Sequence, residues 1–191
     1  MIWICATCGV ETADSDIAPQ DCAICSDERQ WVPESGQSWT TLAELARTGT
    51  ATTWFEVEPG LYGVTATPQV GIGQQTMVVA TSAGVVVFDP LGQTVAEWRT
   101  GNGGAGVLFA GDAVFPNPDR RTVSFMRSYP NRLPLSGAVV RRIAAQLDGL
   151  HYDRLYNNFG ARVPTDAKAV VGRSALRHAA WVEGDHDDET W

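Results

Sequence analysis

Two Cys-x-x-Cys pairs near the amino terminus constrain this chain more than any other feature. Cys5-Ala-Thr-Cys8 and Cys22-Ala-Ile-Cys25 hold all four cysteines of the sequence and are separated by 13 residues. Each pair forms a tight knuckle whose amides donate to thiolates, and two knuckles close a tetrahedral site for one ion. Gly9 follows the first pair, where a knuckle commonly needs positive φ. Two disulfides are the competing reading, and the cytoplasmic setting expected below argues against them. Zinc is the expected metal, while iron fits the same four-thiolate geometry.

Charge decides which partners such a ribbon can take. Residues 1–40 carry seven acids and one base, Arg29. Zinc held by four thiolates adds about −2 more, because four negative sulfurs outweigh one dication. Phosphate backbones need the opposite sign, so nucleic acid is excluded as an expected partner. No apolar run approaches the roughly 20 residues needed to cross a bilayer, and the Met-Ile-Trp-Ile start lacks a basic n-region. The expectation is a cytoplasmic protein with no membrane partner.

Further along, Thr41 and Glu44 form a capping box for a short helix over 42–47, with Gly49 as its stop. Strand formers follow in Leu61–Thr67, Thr76–Thr81 and Val85–Asp89, the last two reading as a hairpin of buried strands. Another strand is expected within Gln93–Arg99, and Thr100–Gly106 is a glycine loop without the Lys-Ser/Thr of a phosphate-binding turn. Val107–Ala110 is a continuous apolar run that breaks at Gly111-Asp112, the pattern of a central strand. An acid at the carboxyl end of such a strand sits where open α/β sheets place ligands. Ser136 caps a helix over 137–147, a strand spans Tyr152–Tyr156, and a final helix runs from Thr165 to about Ala180 with Val170, Val171 and Leu176 inward. The order predicts an α/β (α+β) sandwich, a mixed sheet covered by helices. Ser124, Ser128 and Ser174 lack a Gly-x-Ser-x-Gly elbow, so no serine nucleophile is indicated.

Asp89-Pro-Leu-Gly at one strand end and Ala110-Gly-Asp112-Ala-Val-Phe at another resemble the first and fourth metal-site motifs of the metallo-β-lactamase fold hydrolases. The ribbon, Gly36-Gln-Ser-Trp-Thr-Thr41, Gly71-Ile-Gly-Gln74 and Asp119–Asn131 look like a subgroup with a rubredoxin-like zinc module before the hydrolase domain. The resemblance covers most of residues 2–92 and 106–180. It implies a zinc ribbon over 1–35, a partial αββα metallo-β-lactamase-like domain over 36–182, and an acidic, frayed tail over 183–191. It also implies that Asp112 is the bridging metal ligand of a hydrolase and that Asp89 supports it from behind.

The family's His-x-His-x-Asp-His segment is missing, and the three histidines, His151, His178 and His186, all come late. Only 22 residues separate Asp89 from Asp112, as though a central segment were deleted near Gly92–Gln93. A hydrolytic metal needs several imidazoles or carboxylates around an open position, so a second, catalytic zinc is not expected. The leading expectation is a zinc-binding member of this superfamily without hydrolytic turnover. The competing readings are an interaction module whose bared sheet edges need a protein partner or self-association, an active metallohydrolase with an unrecognised ligand set, and a rubredoxin-like iron protein. No substrate is legible.

Overall fold

The computed structural model describes residues 1–88 and 94–189. It is mixed α+β, with several small sheets and three α-helices, and it divides into two compact units. One unit is Met1–Val87 with the short return Ser128–Asn131; the other is Phe88–Arg127 with Arg132–Trp191. Asp89 and the Gly92–Gln93 junction lie outside the described residues.

In the first unit, β1 (Ile4–Cys5) pairs antiparallel with β2 (Trp39–Thr40), drawing the expected connector back onto the first knuckle. Helix α1 (Leu42–Arg47) starts as the capping box implies, with Glu44 N donating to Thr41 Oγ1. A four-stranded sheet follows in the order β3 (Ala51–Glu58), β4 (Leu61–Thr67), β5 (Thr76–Thr81), β6 (Gly84–Phe88). The middle strands carry its core: Leu61, Met77, Val78 and Val79 are buried.

Two findings depart from the expectation here. β3 escaped notice, although Thr-Thr-Trp-Phe-Glu-Val is a run of strong strand formers. And β6, expected as a buried strand, is an exposed edge: Val85, Val86 and Val87 are 66%, 59% and 62% exposed. An apolar run registers strand propensity alone; burial requires a neighbour, and β6 has one only on its β5 side.

The second unit is built on a mixed sheet in the order β14 (Arg162–Val163), β13 (Arg154–Tyr156), β8 (Val107–Phe109), β7 (Ala96–Trp98). β8 and β13 run parallel, Val107 opposite Arg154 and Phe109 opposite Tyr156, while β7 and β14 are antiparallel to their neighbours. A central strand between two others must be apolar on both faces, and Val107, Leu108 and Phe109 are at most 3% exposed. The expected strand over 122–126 is split into β10 (Val123–Ser124), paired with β9 (Phe115–Pro116), and β11 (Met126–Ser128), in a ladder with β12 (Leu133–Pro134).

Helices α2 (Gly137–Asp148) and α3 (Ala167–Glu183) pack against each other and close the core around Phe125, Val140, Leu155, Val163 and Val171. Ser136 caps α2 through Val139 N. Val140 and Leu147 are its buried residues, with Val139 and Ile143 half-buried. On α3, Val170 and Val171 face inward as expected, but Leu176 is 68% exposed. The buried stripe of α3 continues through Ser174, Ala175 and Ala179, and a residue five positions beyond Val171 is rotated about 140° away from it on the helix.

Candidate metal centre

The two knuckles bring Cys5, Cys8, Cys22 and Cys25 together with all four Sγ atoms within 4.8 Å of one another. Cys5 Sγ lies 3.7 Å from Cys25 Sγ, and Cys8 Sγ lies 3.6 Å from Cys22 Sγ. A tetrahedral ion with metal–sulfur bonds of about 2.3 Å spaces its sulfurs by roughly 3.8 Å, whereas a disulfide needs about 2.05 Å. The cysteines are unbridged, and their spacing is that of ligands around an ion.

Each knuckle is made by backbone hydrogen bonds. Gly9 N donates to Cys5 O (2.8 Å), and Ser26 N donates to Cys22 O (3.0 Å). Gly9 has φ 83°, the left-handed conformation its position requires. Gly71 approaches so closely that a Cβ there would come within 2.7 Å of the Gly9 nitrogen. The Gln37 side-chain oxygen accepts from Cys22 N, and Val10, Val32 and Trp39 wrap the sulfurs. The loop after the second knuckle is held by the return segment. Ser128 Oγ donates to Arg29 O (2.5 Å), and Asn131 Nδ2 donates to Glu28 O (2.8 Å) and Gln30 O (3.2 Å).

The electrostatics favour a cation. Burial and the neighbouring cysteines push the Cys8 thiol up to about 11, and burial pushes Cys25 up as well. For Cys5, burial acts upward, but the amides of Cys8 and Thr7 outweigh it and lower the thiol. Four thiolates cannot share this space without a positive charge between them, and a metal ion supplies it.

The second candidate centre is assembled differently. Asp112 follows β8, and Asn157 and Asn158 follow the parallel β13, so the acid and both amides lie at the carboxyl ends of neighbouring strands. Ala110 N donates to Tyr156 O across this pair. Asn157 Oδ1 accepts from the Phe159 and Ala161 amides. Asn157 Nδ2 and both amide atoms of Asn158 are buried with no partner among the described residues. These asparagines were invisible in the sequence, because nothing local to Tyr156-Asn-Asn-Phe marks them as neighbours of Asp112.

Each histidine is engaged away from Asp112. His151 Nε2 donates to Gly104 O (2.9 Å), and its backbone N donates to Glu97. His178 Nε2 donates to Leu135 O (2.8 Å) and meets the Phe125 ring edge-on. His186 bonds Glu189 and lies against Trp181. Among the described residues, the four cysteines are the group able to hold a metal ion.

Burial raises the Asp112 carboxyl above its ordinary range. A carboxyl raised on folding stabilises the fold below its unfolded value, near pH 3.9, and loses that contribution as pH rises through the folded value. Asp112→Asn removes the buried charge. It is expected to raise the melting temperature at pH 7, with the difference fading as pH falls below about 4. An equal shift at both pH values in thermal scans would contradict this account.

The chain is 27% identical to the uncharacterized protein YmaE of Bacillus subtilis (strain 168), over 260 aligned positions that take in 92% of this chain and 95% of that protein. Because 260 positions exceed the 191 residues of this chain, at least 69 of them face gaps here. No family model and no solved structure matches. No helix among the described residues is long and apolar enough to cross a membrane.

Proposed function

We propose that this chain is a zinc-binding scaffold: a structural four-thiolate ribbon joined to a shortened metallo-β-lactamase-like domain that carries no hydrolytic centre. The observation behind this reading is a contrast between the two candidate sites. Four sulfurs converge at ion-binding distance. At the strand ends that a hydrolase would arm, Asp112 has two asparagines beside it, and all three histidines are engaged elsewhere.

Neutral amides bind soft or borderline dications far more weakly than imidazole, and one carboxylate cannot hold and ionise a metal-bound water. The parallel β8/β13 pair, with an acid after β8 and helices α2 and α3 packed over the core, supports kinship with the hydrolase fold. The 69 or more positions by which the alignment with YmaE exceeds this chain agree with a missing segment. Cys5, Cys8, Cys22 and Cys25 would hold the zinc, whose role there is to fix the ribbon.

Elemental analysis of purified protein tests the proposal. One zinc per chain is expected, with no ester or thioester hydrolysis above background. Two zinc ions, together with a hydrolysis that Asp112→Ala removes, would overturn the unarmed reading. A red, iron-bearing protein would instead move the ribbon to electron transfer.

A further inference from the structure

β6 is an edge strand with none of the usual protection. Edge strands generally carry a lysine, a proline, a bulge or a covering segment that blocks pairing with another chain. The segment Ser82-Ala-Gly-Val-Val-Val-Phe88 contains no charge and no proline, and its three consecutive valines are all more than half exposed. Side chains alternate across a strand, so valines are bare on both faces of the sheet at this edge. Its backbone is hydrogen-bonded into the sheet only through β5.

We infer that β6 is a self-association edge: two copies of this chain pair antiparallel along Val85–Val87, joining their four-stranded sheets into one of eight. The edge is its own complement. A two-fold axis through Val86 sets Val86 against Val86 and Val85 against Val87, which brings β-branched pairs together and places no like charges face to face. Charge elsewhere sets the conditions. The unit that contains β6 holds ten acids and two bases, which is the entire net charge of −8. Two copies therefore repel at long range, and salt, with a screening length of about 8 Å at physiological strength, relieves that repulsion. A basic partner strand would show the opposite salt dependence. This inference rests on the shortened-domain reading for why the edge is bare.

Light scattering after size exclusion, on the full chain with its metal, tests the pairing. The expected mass is twice 20.6 kDa, with the dimer favoured by raising salt from 50 to 500 mM. Val86→Lys sets two ammonium groups against each other on the axis and is expected to give a monomer with unchanged metal content. Should that variant fail to fold, amide exchange in wild type gives the same answer, since protection across Val85–Val87 should rise with protein concentration. A monomer throughout, or a dimer that Val86→Lys leaves intact, overturns the inference. So does a monomer that instead captures a synthetic alternating valine–lysine octapeptide on β6, which would assign the edge to a basic partner. Any of these leaves the unarmed hydrolase reading standing, while hydrolysis lost with Asp112 would do the reverse.

Discussion

Cys22→Ser is expected to remove the metal ion and unfold the ribbon in one step. Cys22 is 1% exposed, its amide is held by Gln37, and its carbonyl accepts from both Ser26 N and Ser26 Oγ. A serine hydroxyl stays protonated near neutrality and is a poor ligand, so the substitution leaves three thiolates and an open position. Structural zinc in small domains contributes roughly 10–16 kcal/mol of apparent binding free energy, most of which is folding free energy. The residues packed on the sulfurs, Val10, Val32 and Trp39, form too small a cluster to hold the loops without it. Elemental analysis should find the variant metal-free, and limited proteolysis should cut within residues 10–35 while leaving the α2–α3 unit whole. Retention of one ion by the variant, or chelation of wild type without new cleavage, would count against a structural metal.

Phe125→Ala should be the most damaging single change in the second unit. Phe125 is fully buried, its ring meets His178 edge-on, and its carbonyl accepts from Leu135 N. Truncating a buried phenylalanine typically costs 3–5 kcal/mol, through lost transfer energy and the cavity left behind. A domain stability of about 5–15 kcal/mol makes that a large fraction of the whole. Leu176→Ala is the matched control, because Leu176 lies on α3 but is 68% exposed, and its loss should stay within about 0.5 kcal/mol. Denaturant melts of the two variants compare them directly, and equal losses would place the core elsewhere.

What the sequence made legible was local. The cysteine spacing reports a knuckle within four residues, and the Ser136 and Thr41 caps report helix starts within three. Val107–Phe109 could be read as a central strand because both of its faces demand apolar residues. The misses all depend on partners distant in the chain. Val85–Val87 has the composition of a buried strand, and only the sheet order reveals that nothing lies beyond it. Leu176 looked like an inner residue until the phase of α3 was fixed by Val170, Val171 and Ala175. Asn157 and Asn158 gain meaning from a parallel register that crosses 45 intervening positions to Asp112.

The clasp on the ribbon loop carries a consequence for biosynthesis. Ser128 and Asn131 reach carbonyls of Glu28, Arg29 and Gln30 that were synthesised about a hundred residues earlier. At translation rates of about 5–20 residues per second, the knuckles wait roughly 5–20 s before their fastening emerges from the ribosome. During that interval the nascent thiols must already be metal-loaded or shielded from oxidation, so ion delivery belongs to the time of synthesis rather than to the finished protein.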